Sequence, residues 1–483
     1  MSSQSYDLVQ LARQTLIDHG LQPDLPPAAV QELETIKNQP IPLNINDLRN
    51  FIWCSIDNDD SRDLDQLTYA TKSSAETTTL FIAIAEVDAL VPKNSPIDQH
   101  AQINTTSIYT PVKIFPMLPE KLSTNLTSLN ENEDRLAIVI EIAVTESGEI
   151  TGYSFYQALV KNHAKLTYNG VGDWLEGKGP LPPKISEIRG LEENIRLQSH
   201  MAQILKNKRI LFGALTLQTP ESAPLILYGK VVGMTLAVPN LATELIENFM
   251  IAANAVIATI LSKSKFPSLR RVVRTPKNWD RIVELAAENG ENLPQKPDSI
   301  ALDHFLAQMK KKDPQIFLDL SLSVVKLLGS GEYIVEMPGQ SPVGHFGLAL
   351  REYTHSTAPN RRYPDLITQR QLKALLKVNN NPYDISELNL LAEHCTKQED
   401  AATKVERQMN KSAAALLLSS HIGEEFQGII TGASDKGTWI RIFNPPTEGK
   451  IVGGYKKLDV GDKIKVKLIS VDIAKGYIDF IKP

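Results

Sequence analysis

The chain has 483 residues, of which 42% are hydrophobic and 22% charged, and its net charge is −5. This is an ordinary soluble globular balance, and the length calls for two to four folding units rather than one core. It excludes polyanion binding driven by total charge, so any nucleic-acid contact must rest on local patches.

Residues 5–19 place Leu8, Leu11, Ala12 and Leu16 on one helical face that stops at Gly20. Three prolines follow in LQPDLPPAAV, then a short helix near 28–37 starting at Pro27, and NQPIPLN closes the segment. Residues 1–45 read as a helical appendage too short for its own core. Residues 46–380 look mixed α and β, with strands at 79–87, 136–144 and 150–160. A second strand group, punctuated by QTPESAP and PN, lies between 212 and 239. Helical spacing continues at 242–262, 278–289, 298–311, 314–328 and 386–419. From 424 the period changes to five short strands with turns at Gly437, Gly449, Gly461 and Gly476, the pattern of a small Greek-key barrel such as an OB-fold. This tail has ten Lys and Arg against eight Asp and Glu, a bias too mild to identify a ligand. The fold class is therefore α+β: a helical segment 1–45, a mixed domain 46–420 and a β-barrel 424–483.

Cys54 and Cys395 lie far apart without CxxC or Cys/His spacing, which argues against zinc and against a disulfide framework and favours a reducing cytoplasm. The start MSSQSYDLVQ shows no signal-peptide pattern. No run of about 18 apolar residues stands out, so no membrane span is expected.

The stretch SIDNDDSRDLDQ at 55–66 concentrates Asp57, Asp59, Asp60, Asp63 and Asp65 around a single Arg62. Like charges this close repel unless a cation sits among them. The flanks LRNFIWCSI and LTYATKSS both look like buried strand, so the loop reads as an ion site better than as a solvated turn.

Three stretches then carry a family likeness: the acidic one, SIYTPVKIFPMLPEKLSTNLTSLN at 107–130, and GHFGLALREYTHSTAPNRRYPDLITQRQL at 344–372. With ELIENFMIAAN at 244–254 between them in order, residues 46–420 resemble the ribonuclease II (RNB) family of 3′-to-5′ exoribonucleases. The tail looks like an S1 RNA-binding domain. The resemblance implies Mg²⁺, or Mn²⁺ in its place, held by Asp57, Asp63 and Asp65, with Gln66 where the family pattern has a fourth aspartate. A glutamine can still ligate but carries no charge, and Asp59 or Asp60 could assist. The same resemblance makes Arg361 the catalytic arginine and assigns RNA contacts to Tyr109, Tyr168, Glu247, Arg362 and Glu406. A further clamp aromatic belongs near 212–218, where Phe212 fits poorly. Asp365 could orient an arginine or open the next helix. His345 and His355 read as structural. The basic runs LKNKR at 205–209 and MKKKD at 309–313 read as solvated helix faces. The implied partner is single-stranded RNA, degraded to nucleoside 5′-monophosphates; protein partners are not legible. The rival reading is an RNA-binding protein of the same fold, catalytically weakened by Gln66. A ribosome-associated S1-type protein would explain only the tail. Longer relatives carry two cold-shock domains before the catalytic one, for which the 45 residues here leave no room, so the RNA entrance is expected to use residues 1–45 and the tail.

Overall fold

The computed structural model describes residues 7–39, 41–218, 222–227, 230–236, 238–434, 437–454, 458 and 461–483. The turn expected at 219–221 and the tail charges at 435–436, 456–457 and 459 lie outside the described residues.

Helices α1 (Leu8–Asp18) and α2 (Pro27–Thr35) come first. Asp7 caps α1 by accepting from the amides of Val9 and Gln10 at 2.9 and 3.1 Å, and the turn after it is made by Gly20 at φ +78°. The apolar stripe Leu8, Ala12 and Leu16 is buried against Ala401, Val405 and Met409 from the C-terminal helix. The appendage therefore borrows its core from the large domain.

A seven-stranded sheet organises that domain. Its strands are β1 (Asn46–Asp47), β2 (Cys54–Asp57), β3 (Gln66–Lys72), β4 (Thr77–Ala85), β7 (Asp134–Thr145), β8 (Ile150–Lys161) and β9 (Ala164–Thr167); β5 (Ile108–Tyr109) and β6 (Ile114–Phe115) form a separate pair. The order is β1-β8-β7-β4-β3-β2-β9, with β1–β8 and β2–β9 parallel. β4 sits in the middle and is covered on both faces, which is why TTTLFIAIA is apolar throughout. Leu80, Ile82 and Ile84 face one core; Phe81, Ala83 and Ala85 face the other. The upstream flank is shorter as strand than its composition suggested: LRNFIW is turn and coil, and pairing starts only at Cys54.

Helices α3 (Pro96–Asn104), α4 (Tyr168–Leu175), α5 (Pro183–Glu187) and α6 (Leu191–Leu211) follow among these strands, and α7 (Leu241–Lys263) covers the sheet beside α6. α7 bears on the membrane-span expectation. It is long and apolar enough to cross a membrane by length and composition, but 67% of its apolar window is buried inside the protein. Leu245, Phe249, Val256 and Ile257 are core residues, so burial explains most of the apolar run.

The hairpin β10 (Ser222–Leu227) and β11 (Lys230–Leu236) precedes α7; β12 (Ser268–Val272) and β13 (Glu332–Glu336) pair around α8 (Trp279–Glu288), α9 (Ser299–Lys312) and α10 (Pro314–Leu328). Next come α11 (Tyr363–Leu376) and the 34-residue α12 (Ile385–Leu418). α12 runs from α1 to the final domain, where Ala414, Ala415 and Leu418 enter the barrel core. That barrel closes as β14-β15-β16-β18-β17 from β14 (Glu425–Ser434), β15 (Gly437–Phe443), β16 (Pro446–Gly453), β17 (Lys463–Asp472) and β18 (Tyr477–Ile481). Arg441 of β15 reaches Asp319 of α10 at 2.9 Å, a second tie between barrel and domain.

Candidate active site

The acidic loop spans the gap between β2, which ends on Asp57, and β3, which starts on Gln66. Asp57 Oδ1 accepts from the Asn58 amide and the Ser61 hydroxyl, both at 2.8 Å. Asp59 accepts from Asn169 at 2.8 Å, and the Lys165 ammonium donates to the Ser61 carbonyl. Because β9 runs parallel to β2 with Thr167 opposite Asp57, the next residue, Tyr168, opens α4 beside the loop.

The arginine segment approaches from the other side. Residues 361–363 pair with the segment entering β5: the Ser107 amide donates to the Arg361 carbonyl at 3.0 Å, and the Tyr363 amide to the Thr105 carbonyl at 2.8 Å. Pro364 and Asp365 occupy the first turn of α11. Asp365, fully buried, accepts from the Ala358 amide and from Arg362 Nη2, each at 2.8 Å. It thus serves both roles open to it from sequence. One turn further on, Arg370 anchors α11 to Asp98 and Asp88 at 2.7 and 2.9 Å and to the Tyr383 hydroxyl at 2.9 Å.

The two sides meet at Asp65, which is 1% exposed. Its Oδ1 accepts from the Asn360 amide at 3.0 Å and its Oδ2 from Arg361 Nε at 3.2 Å. Among the described residues Arg361 makes no other side-chain hydrogen bond, and 42% of its side chain is exposed, so its Nη groups stay available. The Tyr109 hydroxyl donates to Asp63 Oδ2 at 3.3 Å, while the Tyr109 amide donates to Glu406 at 2.8 Å. The structure therefore groups Asp63, Asp65, Arg361 and Tyr109, with Asp57, Tyr168 and Glu406 at the margin.

Electrostatics follow from this crowding. Burial pushes Asp65 up to about 7; Arg361 opposes the shift and Asp63 adds to it. Asp63 is raised too, first by burial and then by Asp57. Burial works against the Arg361 charge, yet Asp65, Tyr109 and Asp57 hold its pKa above the ordinary value. The Tyr168 phenol is raised by burial and by Asp57.

Three expected residues stand apart. Gln66 is 6% exposed, pairs through its backbone with Ile84 in the sheet, and among the described residues its side-chain amide makes no hydrogen bond. Glu247, on α7, lines a cavity of about 130 Å³ with Lys206, Arg209 and Lys310. Arg362 turns to Asp365 and Thr357 rather than to the acids. Phe212 is 62% exposed at an apolar cavity lined by Ile251, Ala252 and Leu350. The histidines are structural: the His355 ring meets the Tyr333 hydroxyl at 2.8 Å, and His345 accepts from the Leu348 amide at 3.1 Å. Sequence reasoning missed Asn360, which acts here through its backbone, a contribution that leaves no side-chain signal.

Among the described residues, no three Asp, Glu, His or Cys side chains converge closely enough to hold a metal by themselves. Asp57 is turned to Ser61 and Asn58, and Asp65 to Asn360 and Arg361. The chemistry of the donors still fits a hard divalent cation: they are carboxylate oxygens, and burial and mutual repulsion destabilise the charge of Asp63 and Asp65.

The RNB domain family matches residues 45–378, and the RNase II-type exonuclease C-terminal S1 domain matches residues 424–482. Ribonuclease R of Vibrio cholerae is 30% identical over 474 residues, taking in 90% of this chain and 56% of that protein. The chain spans a little over half the length of this and similar relatives, and up to 69% of others. Mycoplasma genitalium RNase R, solved with double-stranded RNA, is 25% identical with a TM-score of 0.87 over 99% of this chain and 83% of that one. Yeast Ssd1, described as a pseudonuclease, has a TM-score of 0.73 at 16% identity, over 92% of this chain and 56% of that one, so the fold by itself does not decide activity. With an RNB match over more than half its length and the matching S1 domain behind it, this chain belongs to the RNB family of ribonuclease II-type proteins.

Proposed function

We propose that the chain is a hydrolytic 3′-to-5′ exoribonuclease that shortens single-stranded RNA to nucleoside 5′-monophosphates with Mg²⁺. The observation that carries this reading is the Asp65–Arg361 contact: a buried carboxylate holds a guanidinium by Nε and leaves its Nη groups to grip a phosphate. Asp57, Asp63 and Asp65 are the oxygen donors for the cation, with Gln66 as a weaker, uncharged neighbour. When bound, the cation supplies Lewis-acid polarisation of the phosphate and acidifies water. Arg361 stabilises the negative charge that builds on the phosphoryl oxygens, a kind of donor whose loss typically costs about 2.7–4 kcal/mol. Water adds to phosphorus, the bond to the 3′ oxygen of the preceding nucleotide breaks, and the released nucleotide keeps its 5′-phosphate. The rings of Tyr109 and Tyr168 hold the last bases by stacking, which is tolerant of sequence. The Tyr109 hydroxyl steadies Asp63, and Glu406 fixes the Tyr109 backbone. Glu247 accepts from ribose hydroxyls further along the strand, and Arg362 keeps the arginine segment in place.

A second reading is favoured by Gln66 alone: an RNA-binding protein with a weakened metal centre. One experiment separates the two. Single-stranded RNA labelled at either end is incubated with the protein in Mg²⁺ or EDTA, alongside Asp65→Asn. Stepwise shortening of the 5′-labelled strand, with early release of the 3′ label, lost in EDTA and in the variant, supports the nuclease. Tight binding with both labels intact supports the second reading.

A further inference from the structure

The segment 107–130 ends in Thr127, Ser128, Leu129 and Asn130, and no side chain of that ending has a part in the site so far. Thr127 is 1% exposed, and Ser128 and Asn360 are fully buried. The Thr127 hydroxyl lies 2.5 Å from Asn360 Oδ1 and 2.9 Å from the Leu122 carbonyl, two acceptors for its single proton. Asn360 is the residue whose amide holds Asp65 Oδ1, and its neighbour Arg361 holds Oδ2. Ser128 works in the opposite direction. Its Oγ accepts from the Leu64 amide at 3.0 Å, and its single proton faces both the Arg62 carbonyl at 2.8 Å and Asn130 Oδ1 at 2.9 Å, so it straddles Asp63. The Leu129 amide then donates to the Leu64 carbonyl at 2.9 Å. Two consecutive hydroxyls thus bond to opposite halves of one site, one to the arginine segment and one to the acidic loop.

We infer that Thr127 and Ser128 are positioning residues that set the separation between the acidic loop and Arg361. The inference rests on the exoribonuclease reading for its effect on rate, though not for the tether itself. Both hydroxyls are buried and hydrogen-bonded, so removing either one leaves a buried polar partner, the Leu64 amide or Asn360 Oδ1, without it. A reaction that depends on phosphate lying between acids and guanidinium is sensitive to displacements of about 1 Å, which can cost about 10²-fold in rate.

The test uses the full chain and four variants: Thr127→Val, which keeps the shape and removes the hydroxyl; Thr127→Ser, which restores it; Ser128→Ala; and Ser128→Thr. Amide hydrogen exchange is followed in peptides covering 58–66 and 355–363, and kcat and KM are measured on single-stranded RNA. Thr127→Val should speed exchange in 355–363 but not in 58–66, and Ser128→Ala the reverse. Each should lower kcat by about tenfold or more with KM changed less than about twofold, as expected when reacting groups are misplaced and binding is kept. Thr127→Ser should recover both readouts. Wild-type kcat in Thr127→Val and Ser128→Ala, or exchange raised evenly over the whole chain, would overturn the inference. An inert wild-type protein would sink the exoribonuclease reading instead, and the selectivity of exchange would still decide whether the tether exists.

Discussion

The acidic loop and the arginine segment meet at one carboxylate but are held by different means. The arginine segment is fixed by backbone pairing with residues 105–107 together with buried carboxylates, Asp365 on the Ala358 amide and Asp98 on Arg370 of α11 behind it. The acidic loop is fixed mainly by side chains reaching in from elsewhere, among them Lys165, Asn169 and Ser128. The backbone that carries Arg361 is therefore held more firmly than the acidic loop, whose position single side-chain changes can readjust. Electrostatic stabilisation favours that division, because a donor already in place costs no reorganisation during reaction.

Substitutions can break or sharpen this contrast. The largest effect is expected from Asp365→Asn, which leaves the Arg362 guanidinium without its buried counter-ion. Loss of about 3–5 kcal/mol in denaturant unfolding is expected, and a loss within the range of a surface change would show that the arginine side is not rigidly built. Arg361→Ala should lower kcat by about 10²–10³-fold while RNA binding is largely kept. Arg361→Lys should recover little, since an ammonium cannot hold Asp65 and a phosphate with one planar group. Behind the arginine segment, burial lowers His345 to about 4. The unfolded chain takes up a proton near pH 6.5 and the folded one does not, so stability is full above that pH and falls as pH drops toward 4. The His345 contribution at pH 5 is on the order of 2 kcal/mol. Urea midpoints of His345→Gln and the parent should therefore converge between pH 7 and pH 5, and parallel curves would refute the assignment. Smallest is Tyr109→Phe: it keeps the ring and loses only the 3.3 Å contact to Asp63, so kcat should change by less than about fivefold. Tyr109→Ala, by contrast, should weaken binding of short RNA by about 1–3 kcal/mol.

Much of this arrangement could be read from sequence. The turn signals at Gly461 and Gly476 and the alternating strands of 424–483 predict a small five-stranded barrel, because each device acts locally. Helix periodicity located α7 to α10 and α12 for the same reason. Gly449 instead lies inside β16 opposite Ile440, where a Cβ would meet Phe480. Other features depend on contacts distant in sequence. The bond from Asn360 to Asp65 spans 295 residues and goes through a backbone amide, so no residue type announces it. Gln66 was conspicuous as a departure, yet composition could not say that its amide would lack a hydrogen bond among the described residues. The apolar stripe of α1 is legible in the sequence, but nothing local shows that it takes α12 as its partner.

The claim that the acidic loop and Arg361 operate as one unit on an RNA end is tested most directly by a double-mutant cycle. Single-turnover shortening of 5′-labelled RNA is measured for the parent, Asp65→Asn, Arg361→Ala and the double variant. Groups that share one phosphate predict a double variant about as slow as the slower single one. Losses that multiply, or shortening that survives either change, would contradict the account.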